Sequence, residues 1–294
     1  MNKIYNVKKI NQMRCISGII MGSIMSLLAL VALVLNVANY YNDDVPEAGL
    51  GTLRMFTTLS NLLVGVGAFL TIPFQVDGLR KKNYHLPRWI VDIMYFGTIG
   101  VSLTFFVSLT AISFAQGFSV AMFGKSNIFL HTINPIIAIL LFTFINSDHH
   151  IKFYKSLLSL IPIIFYSIFY LLLAIIIGEK AGGWRDVYGF NAFIPWPITY
   201  ILVLTISFGL SNLLRFLHNK KHEHTKKKIL LYYMKSSDYG DDISSAIINL
   251  AKEANYKEGN IEVPLIIIRI FKERFNSDKS LEELSNIYIN NVIK

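Results

Sequence analysis

Six runs of apolar residues, each broken by few charges, alternate along this chain with short polar connections. They fall near residues 15 to 39, 54 to 75, 89 to 114, 128 to 146, 156 to 177 and 196 to 217. A bilayer core about 30 Å thick takes roughly 20 helical residues at about 1.5 Å each, so every run is long enough to cross. The pattern predicts an all-α polytopic membrane protein whose six transmembrane helices occupy residues 1–217. The first run, apolar from Ile16 to Val37, is too long for a secretory leader and lacks a small-residue cleavage site, so it is expected to stay in the membrane. Beyond the sixth run come a basic linker, 218–228, and a small cytoplasmic helical tail, 229–294, in which Ser280 and Glu283 have the spacing of a capping box.

Composition agrees with this pattern. The chain is 53% hydrophobic and 16% charged, with a mean hydropathy of +0.47, too apolar for a soluble domain of 294 residues. Its net charge of +9 raises the question of a nucleic-acid partner. Position answers it. Lys3, Lys8, Lys9 and Arg14 precede the first span, Arg80, Lys81, Lys82 and Arg88 follow the second, Lys152 and Lys155 follow the fourth, and a run from Arg215 to Lys228 follows the sixth. Basic residues concentrated in alternate connections place both termini in the cytoplasm, with no nucleic acid required.

Cys15, the single cysteine, excludes an intramolecular disulfide and a cysteine-rich metal cluster, and is expected to pack in the interior. His218, His222 and His224 read as part of a membrane-facing charged run rather than as a metal site, and neither a metal nor a cofactor is expected. Gly18, Gly22 and Gly65 predict close helix approach. Asp92 has the spacing to pair with Arg88. No internal repeat is evident, which argues against an inverted-repeat transporter.

Polar groups placed in hydrocarbon need partners or a task. The second span opens on Thr57, Thr58 and Asn61, which share a helix face at i, i+3 and i, i+4. The fourth span enters from the same, outer side with His131 and Asn134, and Pro135 removes the amide that the His131 carbonyl would otherwise bond. A hydroxyl and a neutral imidazole in one partly dry pocket are the minimum parts for acyl transfer, with Asn61 or Asn134 available to an oxyanion. The same residues also suit plain helix contacts. Trp184, Asp186, Tyr188 and Asn191, in the connection after the fifth span, could cap that pocket or orient the histidine, or serve as an interfacial anchor.

The segments MFTTLSNLL and FLHTINPI resemble the androgen-induced membrane protein family and its bacterial six-span relatives, over roughly residues 10 to 217. The match lies in the helix count, in the order of threonine in the second span and histidine in the fourth, and in His149 and His150 at a similar offset after the fourth. The resemblance implies an intramembrane hydrolase of fatty acid esters of hydroxy fatty acids, in a bacterial plasma membrane, with His131 as base. Thr58 matches the nucleophile if that threonine stands three residues before an acid or amide, and Thr57 if it directly follows the aromatic residue. Asn61 stands where the animal members lead one to expect an acid, proline follows the histidine one residue sooner, and the tail has no counterpart.

The expectation is thus a lipid-ester hydrolase with Thr58 or Thr57 as nucleophile, acting in an outer-leaflet pocket between the second and fourth spans. Two rivals involve no chemistry. One is a lipid or small-solute binding or transport protein that uses the same polar groups, and the other a membrane scaffold whose tail binds a protein partner.

Overall fold

The computed structural model describes residues 2–38, 49–81, 84–190 and 194–236, with side chains from residue 9 to residue 225 within those ranges. The tail beyond 236 and Asn191 lie outside the described residues. The chain is an all-α membrane protein. In order, α1 is Asn2–Val37, α2 Phe56–Lys81, α3 Arg88–Gln116, α4 Phe118–Phe123, α5 Ile128–Ile145, α6 Phe153–Ile177 and α7 Trp196–Ser236. All but the short α4 are long and apolar enough to span a membrane. The basic stretch read as a linker is itself helical, as part of α7.

Within the compact unit Arg14–Asn219, α3 is the most enclosed span, two-thirds of its apolar window being buried. Glycine explains how it gets there. A Cβ on Gly97 would come within 2.8 Å of the Val64 backbone, and one on Gly100 within 2.8 Å of Ser60, so α3 lies directly on the backbone of α2. Gly65 in turn faces Ala29 of α1, and Gly18 faces Gln75, as the small-residue pattern predicts. Tyr95 and Met94 are fully buried, and Tyr95 stacks on Phe142 of α5 with ring centroids 5.3 Å apart. Cys15 is buried in the same core. Conversely, Leu27, Phe69, Phe165 and Ile201 are each at least 60% exposed, which is the surface a helix bundle presents to lipid.

The polar contacts are mostly internal. Asp92 binds Lys155 of α6 at 2.6 Å, which corrects the expected pairing with Arg88. The spacing within α3 permits the local pair, but the packing of α3 against α6 brings a cation to the carboxylate. Arg14 donates to the carbonyls of Ile145 and Ser147, both at 3.3 Å, while lying over the Tyr84 ring. The ring nitrogens of His218 face the carbonyl oxygens of Phe142 and His149, each at 2.9 Å. His218 is therefore a buried clasp for the end of α5.

A candidate site at the start of the second and fourth spans

The two polar helix ends meet. Asn134 Nδ2 donates to Asn61 Oδ1 at 2.9 Å, and Asn61 Nδ2 donates to the carbonyls of Thr57 at 2.8 Å and Leu130 at 3.3 Å. Thr57, Thr58, Asn61, His131 and Asn134 are all buried, with exposures of 8% or less.

His131 lies in a π-helical turn, Ile128–Ile133, in which the Asn134 amide bonds back to the Phe129 carbonyl. Pro135 supplies the physical cause, since its ring crowds the carbonyl four residues earlier and it brings no N–H of its own. The imidazole is oriented by α4: His131 Nδ1 donates to the Ala121 carbonyl at 3.0 Å, and Thr132 Oγ1 donates to the Met122 carbonyl at 2.7 Å. With its one proton on Nδ1, a neutral imidazole keeps a lone pair on Nε2. Asp186 does not take the orienting role. Its carboxylate accepts from the Tyr170 hydroxyl at 2.7 Å and the Phe190 amide at 3.1 Å, and so shapes its own connection.

Among the described residues no hydrogen bond joins His131 to either threonine. Thr58 Oγ1 instead accepts from Asn36 Nδ2 of α1 at 3.3 Å, and Thr57 lies near the Tyr188 hydroxyl. Burial pushes the Tyr188 phenol above its ordinary range, so it stays protonated. Its oxygen also accepts from the Phe56 amide at 2.8 Å, an amide that Tyr166 accepts from as well, at 3.1 Å. These two phenols satisfy a donor that the first turn of α2 leaves without a helical partner.

Behind this cluster lies a cavity of about 360 Å³, within the size range of small-molecule sites. Its walls come from α2, α3 and α6, including Leu59, Leu63, Gly100, Ile163 and Phe169, with Arg54 and Trp184 at one end. The Arg54 guanidinium stands 5.8 Å over the Trp184 ring. Of the residues singled out from sequence, Trp184 lines the cavity, while Thr57, Thr58 and His131 do not. The cavity lies between the second, third and fifth spans rather than the second and fourth, because Asn61 and Asn134 close the latter gap.

Sequence reasoning overlooked Asn36, Arg54, Tyr166 and Ala121. Asn36 carried a signal, as an amide within the apolar run LVLNVA. The Ala121 contribution is a backbone carbonyl, which no residue type announces. Comparison of the chain with protein-family models, curated proteins and solved structures returns no match.

Proposed function

We propose that this protein handles a single-chain lipid within the membrane, the acyl chain lying in the cavity of α2, α3 and α6 and an anionic headgroup lying at Arg54. The cavity carries this reading: its walls are apolar, and Leu59, Leu63, Phe165 and Phe169 connect it with the lipid-facing surface. One guanidinium, backed by Trp184, stands at its end, where it can bind a carboxylate in a bidentate manner. Binding of a fluorescent fatty acid to the protein in nanodiscs tests it. Arg54→Gln is expected to weaken binding about tenfold, on the order of 1.4 kcal/mol, and Leu63→Trp to weaken it by filling the cavity. Equal affinity in both variants would sink the proposal.

Ester hydrolysis is the second reading, favoured by the assembly of Thr57, Thr58 and His131 at one buried end of the bundle and by the resemblance to the androgen-induced family. In it, the Thr58 or Thr57 oxygen attacks the ester carbonyl as His131 Nε2 takes the hydroxyl proton. The imidazolium returns that proton to the departing alkoxide, and water then hydrolyses the acyl-threonine. His131 and the hydroxyl come into contact on substrate binding, as catalytic pairs commonly do. A fluorophosphonate probe tests this: labelling is expected to disappear in His131→Ala and in one of Thr57→Ala and Thr58→Ala. Undiminished labelling in His131→Ala excludes the mechanism and leaves lipid binding. The alternate placement of basic residues supports cytoplasmic termini, with this site toward the opposite face.

A further inference from the structure

The opposite end of the bundle holds a second cluster. His85 lies in the connection between α2 and α3, and Asp148 and His149 lie between α5 and α6. His85 Nδ1 is 3.2 Å from Asp148 Oδ2, His149 Nε2 is 3.7 Å from the same oxygen, and the three atoms lie within 4.8 Å of one another. We propose that His85, Asp148 and His149 form a binding site for a divalent transition-metal ion, zinc in the first instance.

Three observations support it. Two donors each about 2.1 Å from a tetrahedral zinc stand about 3.4 Å apart, and the observed separations of 3.2 and 3.7 Å lie on either side of that value. Two imidazoles and one carboxylate are a donor set that zinc takes, leaving a fourth position to water. The two connections that carry the donors are also fastened: the Leu86 amide donates to Asp148 Oδ2 at 2.9 Å, and a ring nitrogen of His218 meets the His149 backbone carbonyl at 2.9 Å.

His149 Nε2 donates to the Leu86 carbonyl at 2.6 Å. To ligate, the ring turns Nε2 away from that carbonyl and carries its proton on Nδ1. This site departs from the sequence-based expectation of no metal, because its residues come from two separate connections and form no local motif.

The test uses the full chain, free of affinity tag, in detergent. Zinc is titrated against a chromogenic chelator, and cobalt is added separately to read coordination from its visible absorption. The expected result is one zinc per chain and a four-coordinate cobalt spectrum, with affinity lowered at least tenfold in His85→Ala and in His149→Gln. His85 is 65% exposed, so His85→Ala is expected to preserve the helical circular dichroism spectrum. A His222→Ala/His224→Ala variant is expected to bind zinc as the parent does. No zinc binding by the parent, unchanged binding in His85→Ala, or loss of binding in the His222/His224 variant would each overturn the proposal.

Discussion

The Asn134 side chain donates to Asn61 across the gap between α2 and α5 at 2.9 Å, so the start of one span is fastened to the start of another by a pair of buried amides. Replacing Asn61 alone by leucine leaves the Asn134 amide without its acceptor and is expected to destabilise the bundle by about 1–3 kcal/mol. The Asn61→Leu/Asn134→Leu double variant is expected to lose less than the sum of the single variants. A double-mutant cycle of unfolding in mixed micelles measures the difference, and strict additivity would show that the pair is not coupled.

The Phe56 amide has two acceptors, the hydroxyls of Tyr166 and Tyr188. Either Tyr166→Phe or Tyr188→Phe leaves one of them, so each is expected to cost about 1 kcal/mol or less, whereas the double variant orphans the amide and is expected to cost about 1–3 kcal/mol. Thermal denaturation of the three variants discriminates redundancy from independent contributions.

Gly97→Ala is expected to be among the most damaging small substitutions. Its new methyl would meet the Val64 backbone at 2.8 Å, and backbone cannot move aside as a flexible side chain does. An overpacking cost of about 1–3 kcal/mol follows. Gly209→Ala serves as the control, since its Cβ would meet nothing within 4 Å. Equal melting temperatures for the two variants would contradict the close approach of α2 and α3.

Burial raises the phenol of Tyr188, and that of Tyr84 at the other end of the bundle. The folded chain keeps these protons where the unfolded chain releases them at about pH 10. The stability they contribute is fully present below that pH and is lost as pH rises through and beyond it. The unfolding midpoint, followed from about pH 8 to about pH 11, is expected to fall, and to fall less steeply in Tyr188→Phe.

Hydrophobic length alone shows six spans, and of the polar residues clustered at two helix starts, Asn61 and Asn134 meet across the gap. What escapes the sequence is what depends on tertiary choice. Asp92 has a satisfactory local partner in Arg88, and only the packing of α6 explains why Lys155 binds it instead. The cavity lies on the face of α2 that presents Leu59 and Leu63, residues indistinguishable by type from any lipid-facing pair. The turn of α4 that orients His131 is too short for periodicity to register.

Gly97 and Gly100 let α3 lie directly against α2, so the two spans present one closely packed face. The cavity is bounded on one side by that face and on the other by α6. Near the foot of α6, a turn at Ser159 and Leu160 and then Pro162 interrupt the helical ladder. On the lipid-binding reading, the wall that can yield to a thicker acyl chain is α6, whose ladder is broken below the cavity, rather than the closely packed face of α2 and α3.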